Sequence, residues 1–293
     1  MSFLFWLAQK FREWAFKLDR FALKQIVDNP VKTSQGLDEY VTSPPSPQNV
    51  IDALPGWNMA LPPHVGATAG VPVFYNDDRI VWLLQQYGSV EGKSVLELGP
   101  LEASHTYMLS QAGVGSITAI EANKLAFFRC LVVKDFLDIK NVKFLLGDFQ
   151  KYLEASTERF DLVVASGVLY HMQDPIRLLE LIAEKADSFF LWTHYTSLES
   201  MPLDDPRRGA FVGDMETRES HGVNVRMYKR TYLRAWEEKA FCGGIHDLHR
   251  WIEKDDIVEL IRALGFDDVR ITGDQIDHPS GPSFSIFARR NKA

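Results

Sequence analysis

The sequence predicts an α/β protein, a doubly wound and mostly parallel sheet with helices on both faces, preceded by an N-terminal helical arm and interrupted by a cap insertion. Three observations lead there. Apolar runs of strand length alternate with helix-length amphipathic segments through the centre of the chain. The first run, Ser94-Val-Leu-Glu-Leu, feeds a turn at Gly99, and the second, Ile117-Thr-Ala-Ile, ends on the carboxylate of Glu121. Near the C-terminus a helix over 254–264, ended by Gly265, is followed by strands 268–272 and 284–289, and the tight Leu264-Gly-Phe266 connection followed by a final strand predicts an antiparallel hairpin closing the sheet.

The elements follow in order. Asp77-Asp-Arg79 is an acidic helix start, with Ile80, Leu83 and Leu84 as its apolar face. Strands are predicted over 94–99, 117–121, 142–147, 160–166 and 188–193, and helices over 104–112, 123–138 and 174–186. Helical crossovers between strands imply a parallel sheet covered on both faces, so its strands read as continuous apolar runs. No helix is assigned between 147 and 160.

Composition narrows the class. With 293 residues, 46% apolar and 24% charged, the chain is an ordinary globular protein large enough for a full core. A formal charge of −7 speaks against a nucleic-acid footprint. Cys130 and Cys242 are too few for a disulfide framework, which points to a reducing, cytoplasmic setting. The apolar start Met1–Ala8 is far shorter than the roughly 20 residues of a membrane span, and it lacks the basic region of a signal peptide.

Apolar residues at helical spacing from Phe3 to about Ile26, interleaved with Lys10, Arg12, Lys17, Arg20 and Lys24, predict an amphipathic helix. Such a face packs on its own domain, on a second copy, or on a membrane surface. Residues 42–72 are rich in Pro and Gly and read as an ordered lid across a pocket mouth. The organisation expected is thus an N-terminal helix and lid over 1–75 and a main domain over 76–293. Within the latter, residues 194–252, rich in aromatic, His and Arg side chains, form the cap.

Ligands of open α/β sheets bind beyond the carboxyl ends of the strands, so residues just after each strand converge. Here these are Glu97, Gly99, Glu121, Ala122, Asp148, Phe149, Ser166 and Gly167. An acid at the tip of the second strand accepts two hydrogen bonds from a ribose diol, the role expected of Glu121. Asp148 is placed for an adenine amine, with Phe149 against the ring. The backbone at Gly99 and Ser166 takes the ligand's other end, and Glu97 meets an ammonium group. A pyrophosphate needs several glycines in the first turn. This turn has Pro100, Leu101 and Glu102 instead, which favours a nucleoside ligand without phosphates, such as S-adenosylmethionine, over NAD.

Residues 93–193 resemble the class I S-adenosylmethionine-dependent methyltransferases. Glu97 and Gly99 match the acidic-x-Gly opening of that family's turn, and Pro100 to Ser104 depart from its later glycines. Gly147-Asp148 matches the adenine-side motif. Phe160-Asp-Leu-Val-Val-Ala-Ser-Gly-Val-Leu-Tyr-His-Met-Gln-Asp-Pro175 resembles the signature after the fourth strand, and its Gly-Val-Leu-Tyr-His segment is also similar to enzymes that alkylate the wobble uridine of tRNA. The resemblance implies a Rossmann-like fold, S-adenosylmethionine as cofactor and S-adenosylhomocysteine as product. The expected reaction is methyl transfer to oxygen or nitrogen of a small polar or sugar-containing acceptor. Alternatives are a tRNA alkyltransferase and a cofactor-binding module without catalysis.

His171, after the fourth strand, and His194, at the end of the fifth, are the candidate catalytic groups, since an imidazole accepts a proton near neutral pH. His246 and His249 have no third ligand at metal-site spacing, so no metal is expected. Arg207, Arg208, Arg226, Lys229 and Arg230 form either a solvated face or a carboxylate-binding set.

Overall fold

The computed structural model describes residues 40–71, 75–238 and 240–291, together with Lys10 and Trp14. Apart from those two positions, the helix expected over 3–26 lies outside the described residues. The chain divides into two units, Met1–Ala53 and Leu54–Ala293. In the first, helix α1 (Pro47–Ala53) begins after Ser46, whose hydroxyl accepts the Asn49 N–H at 3.3 Å.

The second unit opens with irregular chain and helix α2 (Asp78–Tyr87), capped by Asp77, which accepts the Arg79 N–H at 2.9 Å. Ile80 and Leu83 are its buried face. Next come β1 (Ser94–Leu98), α3 (Ser104–Gln111), β2 (Ser116–Glu121), α4 (Lys124–Phe136) and β3 (Val142–Leu146). They are followed by α5 (Phe149–Ala155), β4 (Leu162–Ser166), α6 (Pro175–Lys185) and β5 (Ser188–His194). Helix α5 is one element that the sequence pattern does not predict. Its apolar residues, Phe149, Tyr152 and Leu153, have helical spacing, but seven residues are too few to show a period.

The main sheet has seven strands in the order β3-β2-β1-β4-β5-β10-β9, where β9 is Asp268–Gln275 and β10 is Ser283–Arg289. Strands β1 to β5 pair in parallel, and β10 lies antiparallel between β5 and β9. This is the doubly wound, mostly parallel sheet, with the hairpin closing one edge. Its order reverses between β1 and β4, the switch point at which such sheets bind ligands. Val163, Phe189, Leu191, Phe284 and Ile286 are buried at its centre.

Between β5 and α7 (Lys254–Ala263) the chain builds a second sheet, β6-β7-β8, from Glu216–Ser220, Val223–Arg230 and His249–Ile252. Val223, Val225 and Met227 alternate as buried residues along β7, a period-two signal inside the stretch read as aperiodic.

Candidate active site

A cavity of about 850 Å³ lies beyond the carboxyl ends of β1, β2, β3, β4 and β5, within the size range of small-molecule sites. Its floor is the turn after β1. Gly99, Leu101 and Ala103 all take left-handed backbone, with φ of 65°, 55° and 59°. Two of these are not glycine, and each such residue costs about 1–2 kcal/mol. The alternating left-handed geometry is therefore kept at positions where the side chains depart from the glycine pattern. Gly99 itself is required, because a Cβ there would sit 2.8 Å from Val168 Cγ1.

Glu121 faces the cavity and is nearly buried. Its oxygens accept the N–H groups of Leu101 at 3.1 Å and Asn123 at 2.8 Å, so the carboxylate is fixed and each oxygen keeps a lone pair. Burial raises its pKa, and the backbone donors at Asn123, Leu101 and Ala122 oppose that rise. Ala122, Asp148, Phe149, Ser166 and Gly167 also line the cavity. Asp148 caps α5 by accepting the Gln150 N–H at 2.9 Å. The Ser166 hydroxyl is buried in the wall without a hydrogen-bond partner among the described residues.

Two acids of the turn point elsewhere. Glu97 is not part of the cavity wall. It lies behind the wall, hydrogen-bonded by the Thr106 hydroxyl at 2.5 Å, and burial pushes its pKa up to about 7. It thus shapes the turn from behind and is not placed to meet an ammonium group. Glu102, expected to put charge where phosphates would lie, is fully buried and turned away. It accepts the N–H groups of Asn58 and Met59, both at 2.8 Å, and pairs with Arg129 at 3.2 Å. Asn58 and Met59 in turn line the cavity.

Two wall residues missed by the sequence reading are Arg79 and His105. The Asp77 carboxylate accepts from Arg79 Nη2 at 2.6 Å and from His105 Nε2 at 2.9 Å, and these partners hold its pKa well below the usual carboxylate range against the opposing effect of burial. The Arg79 guanidinium lies 4.6 Å from the Trp192 ring, which also faces the cavity. The acidic helix start was visible in the sequence, but not the convergence of α2 and α3 on one carboxylate.

His171 lines the cavity, its Nδ1 2.6 Å from the Tyr232 hydroxyl. Burial, with His249, His194 and Arg230 nearby, lowers its pKa to about 3. His194 is not in the wall. Its ring stacks on Trp251 with centroids 5.0 Å apart, and Nδ1 lies 2.9 Å from the Gly281 carbonyl and 3.2 Å from that of Pro282. Strand β5 continues one residue beyond the expected 193, which leaves His194 inside the sheet as a packing group.

None of the five cap cations lines the cavity. Arg207 pairs with Asp205 at 2.6 Å, Arg226 with Asp256 at 2.7 Å, and Lys229 with Glu216. Arg208 donates to the Met201 carbonyl at 2.6 Å, and Arg230 packs 4.5 Å from the Trp251 ring. Among the described residues no group of three His, Cys, Asp or Glu side chains is arranged to hold a metal ion. No helix among them is long and apolar enough to cross a membrane.

Residues 89–210 match a family described as "Methyltransferase domain". With the seven-stranded sheet, this identifies a class I S-adenosylmethionine-dependent methyltransferase domain over that part of the chain. Among curated proteins it is similar to the tRNA U34 carboxymethyltransferase of Ectopseudomonas mendocina, 35% identical over 31% of this chain and 28% of the relative. The protein of that name from Colwellia psychrerythraea is 24% identical over 91% of this chain and 74% of the relative. The chain spans half the length, 50%, of the Dichelobacter nodosus relative. Among solved structures, the N-terminal domain of EvdMO1 with SAH bound superposes with a TM-score of 0.62 at 22% identity, covering 84% of this chain and 95% of that one. At that identity the likeness is one of fold.

Proposed function

We propose that this protein transfers a methyl group from S-adenosylmethionine to oxygen or nitrogen of a small polar or sugar-containing acceptor. The observation that carries this reading is the Glu121 carboxylate, fixed by two backbone N–H groups beside a left-handed turn on the cavity wall. A ribose diol finds there two oxygens with lone pairs still available. Asp148 takes the adenine amine and Phe149 packs on the ring, while the unpartnered Ser166 hydroxyl and the backbone at Gly99 and Gly167 receive the methionine end. Arg79 offers a cation to a carboxylate on the same wall. When bound, the cofactor supplies an electrophilic methyl on sulfur. The protein's part is to align the acceptor with it and to dispose of a proton.

Tyr170, His171, Trp192 and the Phe241–His246 loop form the acceptor side. His171 contacts the acceptor and is the candidate catalytic group there, with His194 supporting the wall through its ring contacts with Tyr170 and Trp192. Residues 194–252 act as the substrate cap, and Asn58 and Met59, from the Pro- and Gly-rich passage, supply the lid side of the cavity. Calorimetric titration with S-adenosylhomocysteine tests the cofactor site. Binding is expected to weaken at least tenfold, about 1.4 kcal/mol, in Glu121→Ala. No binding to the wild type would overturn the reading, and tight binding justifies a screen of acceptors with labelled cofactor.

A second reading is alkylation of the tRNA wobble uridine, favoured by the Colwellia relative, whose similarity runs over 91% of this chain. It predicts tRNA binding that weakens steeply with salt. Absence of binding at low salt would remove it.

A further inference from the structure

The hydrogen bonds of the cavity fix what each of its two half-buried imidazoles can do. His105 contacts Asp77 through Nε2 at 2.9 Å. Asp77 is an ionised carboxylate that already accepts from Arg79, so it has no proton to give. Nε2 of His105 therefore carries the hydrogen. The other ring nitrogen, Nδ1, has no hydrogen-bond partner among the described residues, and the ring lies in the cavity wall.

His171 is held the other way round. The Tyr232 hydroxyl oxygen accepts the Gly244 N–H at 2.7 Å and lies 2.6 Å from His171 Nδ1. Tyr232 is a phenol whose pKa burial pushes up to about 12, so it keeps its proton. That proton has one acceptor among the described residues, His171 Nδ1. Were Nδ1 the donor, the hydroxyl hydrogen would be left without a partner among the described residues, so the Tyr232 O–H to Nδ1 arrangement satisfies one donor more. Nδ1 is thus the lone-pair nitrogen, and the N–H is Nε2.

The Gly244 contact also ties the loop to this arrangement. A Cβ on Gly244 would lie 2.7 Å from the His171 carbonyl oxygen, and one on Gly243 would lie 2.8 Å from the Tyr232 ring. Phe241 to His246 all line the cavity, so Tyr232 latches that wall to the same histidine whose tautomer it sets.

We propose that the two histidines have opposite roles toward the acceptor. His105 presents a lone pair at Nδ1 and takes the acceptor's proton, while His171 presents an N–H at Nε2 and holds the acceptor by an oxygen lone pair. The assignment of roles rests on the methyl-transfer reading, but the two protonation patterns do not. In the step itself the acceptor's lone pair forms the new bond to the methyl carbon as the carbon–sulfur bond breaks, and that bond's electron pair stays on sulfur. The acceptor's proton passes to His105 Nδ1, and the imidazolium is held against the Asp77 carboxylate. Asp77 and Tyr232 are positioning residues. The acceptor class this selects is one with an oxygen beside the alkylated atom, as in a hydroxy or amino acid or a sugar diol.

The test is long-range proton–nitrogen NMR of histidine-labelled full-length protein at neutral pH, assigned with His105→Asn and His171→Asn. Both rings are expected as the neutral Nε2–H form. Tyr232→Phe is expected to release His171 into a mixture of tautomers and to leave His105 unchanged. An Nδ1–H form of either ring in the wild type overturns the proposal, as does an unchanged His171 signal in Tyr232→Phe. The wild-type spectrum decides even where a variant fails to fold. With the first acceptor turned over, His105→Gln is expected to lower kcat at least a hundredfold, and His171→Gln to act mainly on KM. The reverse split overturns the roles. Loss of S-adenosylhomocysteine binding would sink the methyl-transfer reading while the tautomers stand.

Discussion

Glu102→Gln isolates the buried ion pair that fixes one wall of the cavity. Glu102 is fully buried and Arg129 nearly so. The carboxylate accepts from Asn58 N–H, Met59 N–H and Arg129 Nη1, at 2.8, 2.8 and 3.2 Å. A glutamine keeps the volume but turns one acceptor oxygen into a donor. One backbone N–H then faces an NH₂ group, and the guanidinium loses its counter-charge. Removing one partner of a buried pair costs about 3–5 kcal/mol. For a unit of this size that is a fall in Tm of roughly 6–20 °C. Urea unfolding should show the midpoint drop with an unchanged slope, since the surface exposed on unfolding is the same. Affinity for S-adenosylhomocysteine should fall as well, because Asn58 and Met59 lose their anchor. In Glu102→Met/Arg129→Met the uncompensated charge disappears, leaving about 1–3 kcal/mol for the orphaned N–H groups. A loss below about 1 kcal/mol in Glu102→Gln would refute the claim that this pair secures the wall.

The buried histidines predict a pH dependence. His171, at about 3, and His194 and His249, at about 4, are held neutral by burial, whereas the unfolded chain protonates its histidines near 6.5. Below 6.5 the unfolded state binds more protons, so stability is full above that pH and falls toward pH 4, by about 1.4 kcal/mol per pH unit for each histidine at most. Glu97, pushed up to about 7, works in the opposite direction between about pH 7 and 4.5, but it is one group against three, so urea midpoints equal at pH 7 and pH 5 would contradict the burial. Ala103→Gly relieves a left-handed alanine at φ 59° and should raise stability by roughly 0.5–1 kcal/mol, the strain relieved less the added chain entropy. A destabilised variant in thermal melts would mean that the turn is not strained. Gly244→Ala forces its Cβ against the His171 carbonyl and should speed S-adenosylhomocysteine dissociation, measured by stopped flow, with little change in Tm.

The fold was legible because buried parallel strands read as apolar runs, and β1, β2, β4 and β5 do so within a residue or two of their observed ends. Glu121 was legible for the same reason. It is the last residue of β2, so the strand itself aims it at the crevice. Glu97 and Glu102 were not, because spacing along a chain predicts direction only while the backbone keeps one period. In β1 the side chains alternate between faces that are both buried, so nothing in the pattern says which face Glu97 takes. From Gly99 to Ala103 alternate residues are left-handed, and the direction of Glu102 follows from dihedral angles that Leu101 and Ala103 do not advertise.

The same limit explains why His194 stands out in the sequence and His105 does not. His194 stands at the end of an apolar strand run, but β5 absorbs it, and its ring is taken up by Trp251 and two carbonyls. His105 had no strand to announce it. It reaches the cavity from the first turn of α3, and its orientation comes from Asp77, whose helix-capping role was plain in the sequence. An N-capping carboxylate spends one lone pair on a backbone N–H. Asp77 spends its others on Arg79 and His105, so one residue starts a helix, anchors a guanidinium and sets an imidazole's tautomer. An aspartate at a helix start therefore points to chemistry only when a second helix start delivers a partner to it. Here the succession α2, β1, α3 does that, since Arg79 and His105, each in the first turn of its helix, meet in the wall of one cavity.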